Sequence, residues 1–190
     1  MPFSAVSESS FNPLYMIARN RIWEELKQAK ANIICIQRYV DKNRFYNRLY
    51  NGFVAITASA GAFGYLLNEL IPVIASGLVG LVSIAKSIAP QFLQSEADLS
   101  ELDAISDFYV SYMNKLEELW YEFDQDITDE HTTMRKFFLL KSTECEKEST
   151  MNRGIRYITK QDQLTIDDEA TRYINSVYFK KIENDEEQEC

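Results

Sequence analysis

The sequence predicts an all-α protein: a central antiparallel helical hairpin with long amphipathic helices on one side of it. Three observations lead there. Apolar residues recur at three- and four-residue spacing through residues 13–50 and again through 95–123. Between them the block "NGFVAITASAGAFGYLLNELIPVIASGLVGLVSIAKSIAP", residues 51–90, carries only two formally charged residues, Glu69 and Lys86. No segment shows the strict apolar–polar alternation that marks a strand.

Composition supports a folded chain. Of 190 residues, 46% are hydrophobic and 26% charged, which is ordinary for a globular protein. Charge is unevenly spread. Residues 1–50 hold eight basic side chains against four acidic ones, whereas 94–190 hold 11 basic and 24 acidic. Phosphate contacts need clustered Lys and Arg, so the acidic C-terminal half argues against nucleic-acid binding there, and no nucleic acid is expected as a partner. Cys35, Cys145 and Cys190 are odd in number and far apart, which fits a reducing compartment better than a disulfide framework. The start "MPFSAVSESS" lacks the basic and apolar regions of a signal peptide, so no export signal is expected beyond the apolar block itself.

Taken in order, residues 1–12 are polar and Ser-rich and are expected to form a disordered arm. Residues 13–126 read as a helical domain. Its first helix starts at Pro13 and is basic and amphipathic, with Ile22, Leu26, Ala29, Ile33, Ile36 and Val40 on one stripe. The hairpin follows over 49–89. Its legs, about 49–67 and 70–89, meet at "NELIP", where Asn68 and Glu69 favour a turn and Pro72 suits the first turn of the next helix. Ser95 and Asp98 form a capping box that opens a long acidic helix with Leu99, Leu102, Ile105, Tyr109, Tyr112, Leu116, Leu119 and Phe123 on its stripe. Its natural partner is the basic first helix. The region 127–182 is expected to hold a short helix over 128–148, a connector through "STMNRGIRYITKQDQL", and a last helix opening on a capping box at Thr165 and Asp168. Residues 183–190 read as a solvated acidic tail.

Each hairpin leg is about 19–20 residues, or roughly 28–30 Å as a helix, close to the hydrocarbon thickness of a bilayer. Small residues recur within them: Ala58, Gly61, Ala62 and Gly64 in the first leg, Ser76, Gly77, Gly80 and Ser83 in the second. Such faces let helices approach closely in lipid, where the hydrophobic effect does not drive association. A helical glycine exposed to water would cost about 1 kcal/mol relative to Ala, so this density indicates packing surfaces. Arg38, Lys42, Arg44 and Arg48 flank the start of the hairpin and Lys86 its end, while the turn carries no positive charge. The positive-inside rule then places both termini in the cytoplasm, with the hairpin in the inner membrane. The alternative is a soluble, cytoplasmic all-helical interaction protein that buries the hairpin at the centre of a homo-oligomer.

Little in the chain carries chemistry. The one histidine, His131, lies among Asp124, Asp126, Asp129 and Glu130, but the glycine and terminal Glu of an EF-hand loop are missing. His131 and Cys145 have no zinc-ligand partners at useful spacing. There is no Walker A, no G-x-G-x-x-G and no G-x-S-x-G, so neither an enzyme nor a cofactor is expected.

The order of elements resembles a known family. A basic approach helix containing "RIWEELKQAKANIICIQRYVDKNRFYNRLY", a small-residue hairpin and the helix "LDAISDFYVSYMNKLEELWYEF" together resemble the SLATT-type two-transmembrane helical domains of bacterial conflict and anti-phage systems, over about residues 14–125. The resemblance implies a membrane-inserting effector that oligomerises in the lipid bilayer, forms a pore or disrupts the inner membrane, and works beside a nucleotide-signal sensor or synthase.

Overall fold

The computed structural model describes residues 13–64, 77, 80, 82–84, 86–89 and 93–178, with side chains in the first helix described from 17 to 57. The expected arm, the 68–72 turn and the acidic tail lie outside the described residues. The all-α fold is observed. Four long helices dominate, α1 (Pro13–Gly64), α2 (Glu96–Asp124), α3 (Glu130–Gly154) and α4 (Lys160–Tyr178), and the described positions from 77 to 89 are also helical. No strand occurs among the described residues.

Helix α1 is the spine. Its 52 residues, about 78 Å at 1.5 Å per residue, run unbroken from the basic approach into the first hairpin leg. The sequence explains the continuity: no proline follows Pro13 within α1, and Gly52 is its first glycine. The other helices pack along its lower two-thirds in alternating directions. Arg44 meets Asp103, Glu25 meets Tyr112 and Arg19 meets Asp124, so α2 runs antiparallel to α1. The pairs Arg21–Phe138, Glu25–Lys141 and Tyr39–Arg156 make α3 parallel to it. Arg38–Glu169, Lys30–Tyr173 and Trp23–Tyr178 make α4 antiparallel again.

The core forms where the expected stripes meet. All six expected positions of α1 and all eight of α2 are buried. Phe137 and Met151 of α3 and Ile174 of α4 join the same cluster. A satellite cluster of Ala31 and Ile34 with Ile166 and Ala170 seats α4 on the outer side of α1. At the lower end Trp23, Trp120 and Tyr178 draw three helices together, with ring centroids 5.2 to 6.3 Å apart. Edge-on and tilted pairs of this kind add about 0.5–1.5 kcal/mol beyond the area they bury.

Local chemistry sets the helix ends. Ser95 caps α2 as expected: its side chain accepts from the Asp98 amide and the Asp98 carboxylate accepts from the Ser95 amide. The acidic stretch after α2 makes a turn. Asp126 takes φ of 53°, the left-handed region that Asp tolerates better than most residues, and Asp129 caps α3 by accepting from the Thr132 amide.

Two expected boundaries are corrected. Helix α3 continues to Gly154, six residues beyond 148, because Met151 adds a core contact one heptad after Glu144. The connector therefore shrinks to Ile155–Thr159. Helix α4 starts at Lys160 instead of Thr165. The same Thr-x-x-Asp signal occurs at Thr159 and Asp162, where the Thr159 hydroxyl accepts from the Asp162 amide at 3.0 Å. Thr165 instead lies inside the helix and donates to the Gln161 carbonyl.

Candidate functional site

Beyond the bundle, α1 projects as a helix with a bare apolar face. The core stripe ends at Val40, and its line continues upward as Asn47, Tyr50, Val54 and Thr57, all at least half-buried or nearly so. Turned away from that line at roughly 100° per residue, Phe45, Leu49 and Ile56 are 62, 61 and 71% exposed, and Phe53, between the two sides, is 50% exposed. Lower down, that same outer side is covered by α4 at Ala31 and Ile34. Near Lys42, α1 thus changes from a helix covered on both sides to one with an uncovered apolar stripe. Ile84 and Ile88 on the returning segment are exposed as well.

The polar residue inside this projection does not leave an unpaired donor. Thr57 is buried, and its hydroxyl lies 2.9 and 3.0 Å from the carbonyls of Phe53 and Val54. A hydroxyl turned back on its own helix removes much of the penalty that an unsatisfied group would meet in an apolar medium.

The expected basic residues divide into two sets. Arg38 pairs with Glu169 of α4. Arg44 reaches Asp103 at 2.6 Å and Glu96 at 3.6 Å, and the hydrogen bond to Asp103 holds its guanidinium above the usual pKa range. These two fasten α1 to its neighbours. Lys42, Arg48 and Lys86 are exposed around the base of the projection.

The small residues are also divided. Ala58, Gly61, Ala62 and Gly64 lie on the helical backbone of α1, and Ser76 lies outside the described residues. Ser83 is exposed. A Cβ placed on Gly52, Gly77 or Gly80 would meet nothing within 4 Å, so these three glycines make no close contact among the described residues of the protomer. Among the described residues, no helix is long and apolar enough to cross a membrane.

The projection is anchored at a neck. Gln94, which is buried, accepts from the Asn47 side chain through its backbone carbonyl at 3.0 Å and donates from its side-chain Nε2 to the Gly154 carbonyl at 2.6 Å. One residue thereby ties α1, the start of α2 and the end of α3. Gly154 permits this closeness, because a Cβ there would lie 2.8 Å from Leu102 Cδ2.

A second polar constellation sits inside the bundle, and the sequence reading did not find it. Lys141 bridges Glu25 at 2.7 Å and Glu144 at 2.5 Å. The Tyr112 hydroxyl donates to Glu25 at 3.0 Å and the Tyr109 hydroxyl to Glu144 at 3.3 Å. Burial, and then the neighbouring carboxylates, push both tyrosine pKa values well up. For Lys141 burial opposes the charge, but its hydrogen bonds to Glu144 and Glu25 outweigh that and raise its pKa. A signal did exist in the sequence: Phe137, Glu144 and Met151 are spaced by seven, which puts a carboxylate on the buried stripe of α3. The members of this group bond to one another across α1, α2 and α3, which offsets part of the cost of burying their polar atoms.

His131 is exposed, and among the described residues no group of three or more His, Cys, Asp or Glu side chains is placed to hold a metal ion. Burial and Asp167 push the Cys35 thiol up to about 11. No protein-family model matches the chain, and no curated protein or solved structure matches it.

Proposed function

We propose that this protein is a membrane-inserting helical effector: its hairpin enters a lipid bilayer and the bundle stands on one side as a stalk. The observation that carries this reading is the change of face on α1, where Phe45, Leu49, Phe53 and Ile56 form an uncovered apolar line directly above a covered one. Burying such side chains is worth about 1.5–3 kcal/mol each, so four of them supply a strong drive toward an apolar partner. The exposed cations Lys42, Arg48 and Lys86 at the base would face anionic headgroups on the cytoplasmic side.

Oligomerisation within the membrane completes the proposal. Gly52, Gly77 and Gly80 offer open backbone to a neighbouring copy, and small residues permit close helix contact in lipid. The likeness to SLATT-type domains supplies the further reading of a pore or inner-membrane disruption in anti-phage defence, triggered by a nucleotide-signal sensor or synthase.

The test is membrane fractionation of expressing cells followed by a carbonate wash. Retention in the pellet, with loss of retention in a Leu49→Asp, Phe53→Asp variant of unchanged helical content, is expected. Quantitative release of the unmodified protein as a discrete oligomer would overturn the proposal in favour of a soluble assembly.

A further inference from the structure

The neck beneath the projection holds two adjoining cavities that the hairpin reading does not use. The upper one, about 340 Å³, is lined by Tyr50, Lys86, Ala89, Leu93, Gln94 and Arg156, among others. The lower one, about 370 Å³, shares Gln94, Asp98 and Arg156 with it and adds Arg153 and Glu101. Three cations therefore face two acids, and one of those acids, Asp98, already accepts from the Ser95 amide in the helix cap. The balance favours a single negative charge.

Two features show that this place is built. Arg156 is set at the cavity by its backbone: its amide donates to the Tyr39 hydroxyl at 3.2 Å, and the preceding turn is held by Gln94 through the Gly154 carbonyl. Gln94 is only 5% exposed and spends Nε2 on that bond, while its Oε1 is buried without a hydrogen-bond partner. A buried acceptor left unpaired costs about 1–3 kcal/mol, so a ligand that brings a donor is favoured. Ala89 and Leu93, together with Tyr50, give the upper cavity an apolar wall beside its cations.

We propose that this neck holds the phosphodiester headgroup of an anionic glycerophospholipid, with the phosphate between Lys86 and Arg156 and a headgroup hydroxyl donating to Gln94 Oε1. Tyr50 and Leu93 then border the glycerol, where an aromatic ring suits the membrane–water interface. The site rests on the membrane reading above and adds a chemical preference to it: a hydroxylated anionic headgroup over a zwitterionic one. The same chemistry is offered by a soluble glycerophosphodiester, and the lipid is the source proposed.

Full-length protein is mixed with four vesicle types and floated: phosphatidylcholine alone, and phosphatidylcholine with phosphatidylglycerol, with phosphatidylmethanol, or with phosphatidylglycerol plus excess soluble glycerophosphoglycerol. Phosphatidylmethanol carries the same charge and lacks the hydroxyls. We expect preference for phosphatidylglycerol over both other lipids, no effect of the soluble competitor, and a roughly tenfold fall in that preference for Lys86→Gln, Arg156→Gln. The control Lys42→Gln, Arg48→Gln removes equal charge from the outer surface of α1 and should lower the preference less. Equal falls in the two variants, or equal binding of phosphatidylglycerol and phosphatidylmethanol, would overturn the site and leave membrane insertion standing. Full competition by glycerophosphoglycerol would overturn the lipid as the source. Flotation with no vesicle at all would overturn the membrane reading and this site together.

Discussion

Removing the cation from the buried polar layer gives the sharpest test of the bundle. Lys141→Met keeps most of the aliphatic stem and deletes the ammonium that bonds Glu25 at 2.7 Å and Glu144 at 2.5 Å. Both carboxylates then lie in protein with no counter-charge bonded to them; their side chains are 11 and 2% exposed. Breaking a buried pair by deleting one partner costs about 3–5 kcal/mol. Lys141 itself is 40% exposed, so water screens part of the interaction and the expected loss is about 2–3 kcal/mol. In a chain of this length that is a fall in Tm of roughly 4–12 °C. Circular dichroism melts in mild detergent read it directly. Adding Glu144→Gln to Lys141→Met removes one stranded charge, keeps an acceptor for Tyr109, and is expected to regain about 1 kcal/mol. A single variant within about 0.5 kcal/mol of the unmodified protein, or a double variant that is worse by the sum of its parts, would refute the argument that the carboxylates depend on Lys141.

Three other outcomes follow from particular contacts. Thr159→Ala should cost about 1 kcal/mol through loss of the α4 cap, while Thr165→Ala, exposed inside the helix, should be neutral or stabilising by a few tenths; the reverse order in denaturant melts would restore the later helix start. Gly154→Ala forces a Cβ to 2.8 Å from Leu102 Cδ2 and should destabilise by about 1–3 kcal/mol, with less than additive loss when combined with Leu102→Val; a neutral Gly154→Ala would mean that the neck is loosely packed. Alkaline titration should unfold the bundle, because burial raises the pKa values of Tyr109, Tyr112 and Tyr178 in the folded state. A raised folded pKa gives stability that is complete below the ordinary tyrosine value of about 10 and is lost as pH rises beyond it. Tyrosinate absorbance and loss of helicity should therefore rise together; ionisation of these tyrosines with helicity retained would count against their burial.

Much of the architecture was legible in the linear pattern. The two stripes from Ile22 to Val40 and from Leu99 to Phe123 follow helical periodicity, and a periodic apolar face has no stable state except against another such face. The Ser95–Asp98 cap is equally local, since both partners lie within one turn. The start of α4 was harder to place because Thr-x-x-Asp occurs twice, starting six residues apart, and the same local signal marks both; in the fold the bond from the Asp162 amide to the Thr159 hydroxyl is the one that opens the helix. The neck was not legible at all. Gln94 lies sixty residues from Gly154 in the chain, with Arg156 two residues further on, and nothing near any of them marks a meeting point.

By itself, the sequence determined that this chain is helical, which residues its helices bury, and that an uncharged block stands between a basic and an acidic helix. These follow from propensity, period and capping, each of which acts within a turn or two. Only the tertiary structure decided that α1 runs unbroken from the bundle into the projection, that Arg38 and Arg44 hold neighbouring helices, that Lys86 and Arg156 border a cavity, and that the apolar outer side of α1 is bare above Lys42 and covered below it. Those outcomes depend on which distant segment occupies the space beside each side chain, and a residue's type does not carry that information.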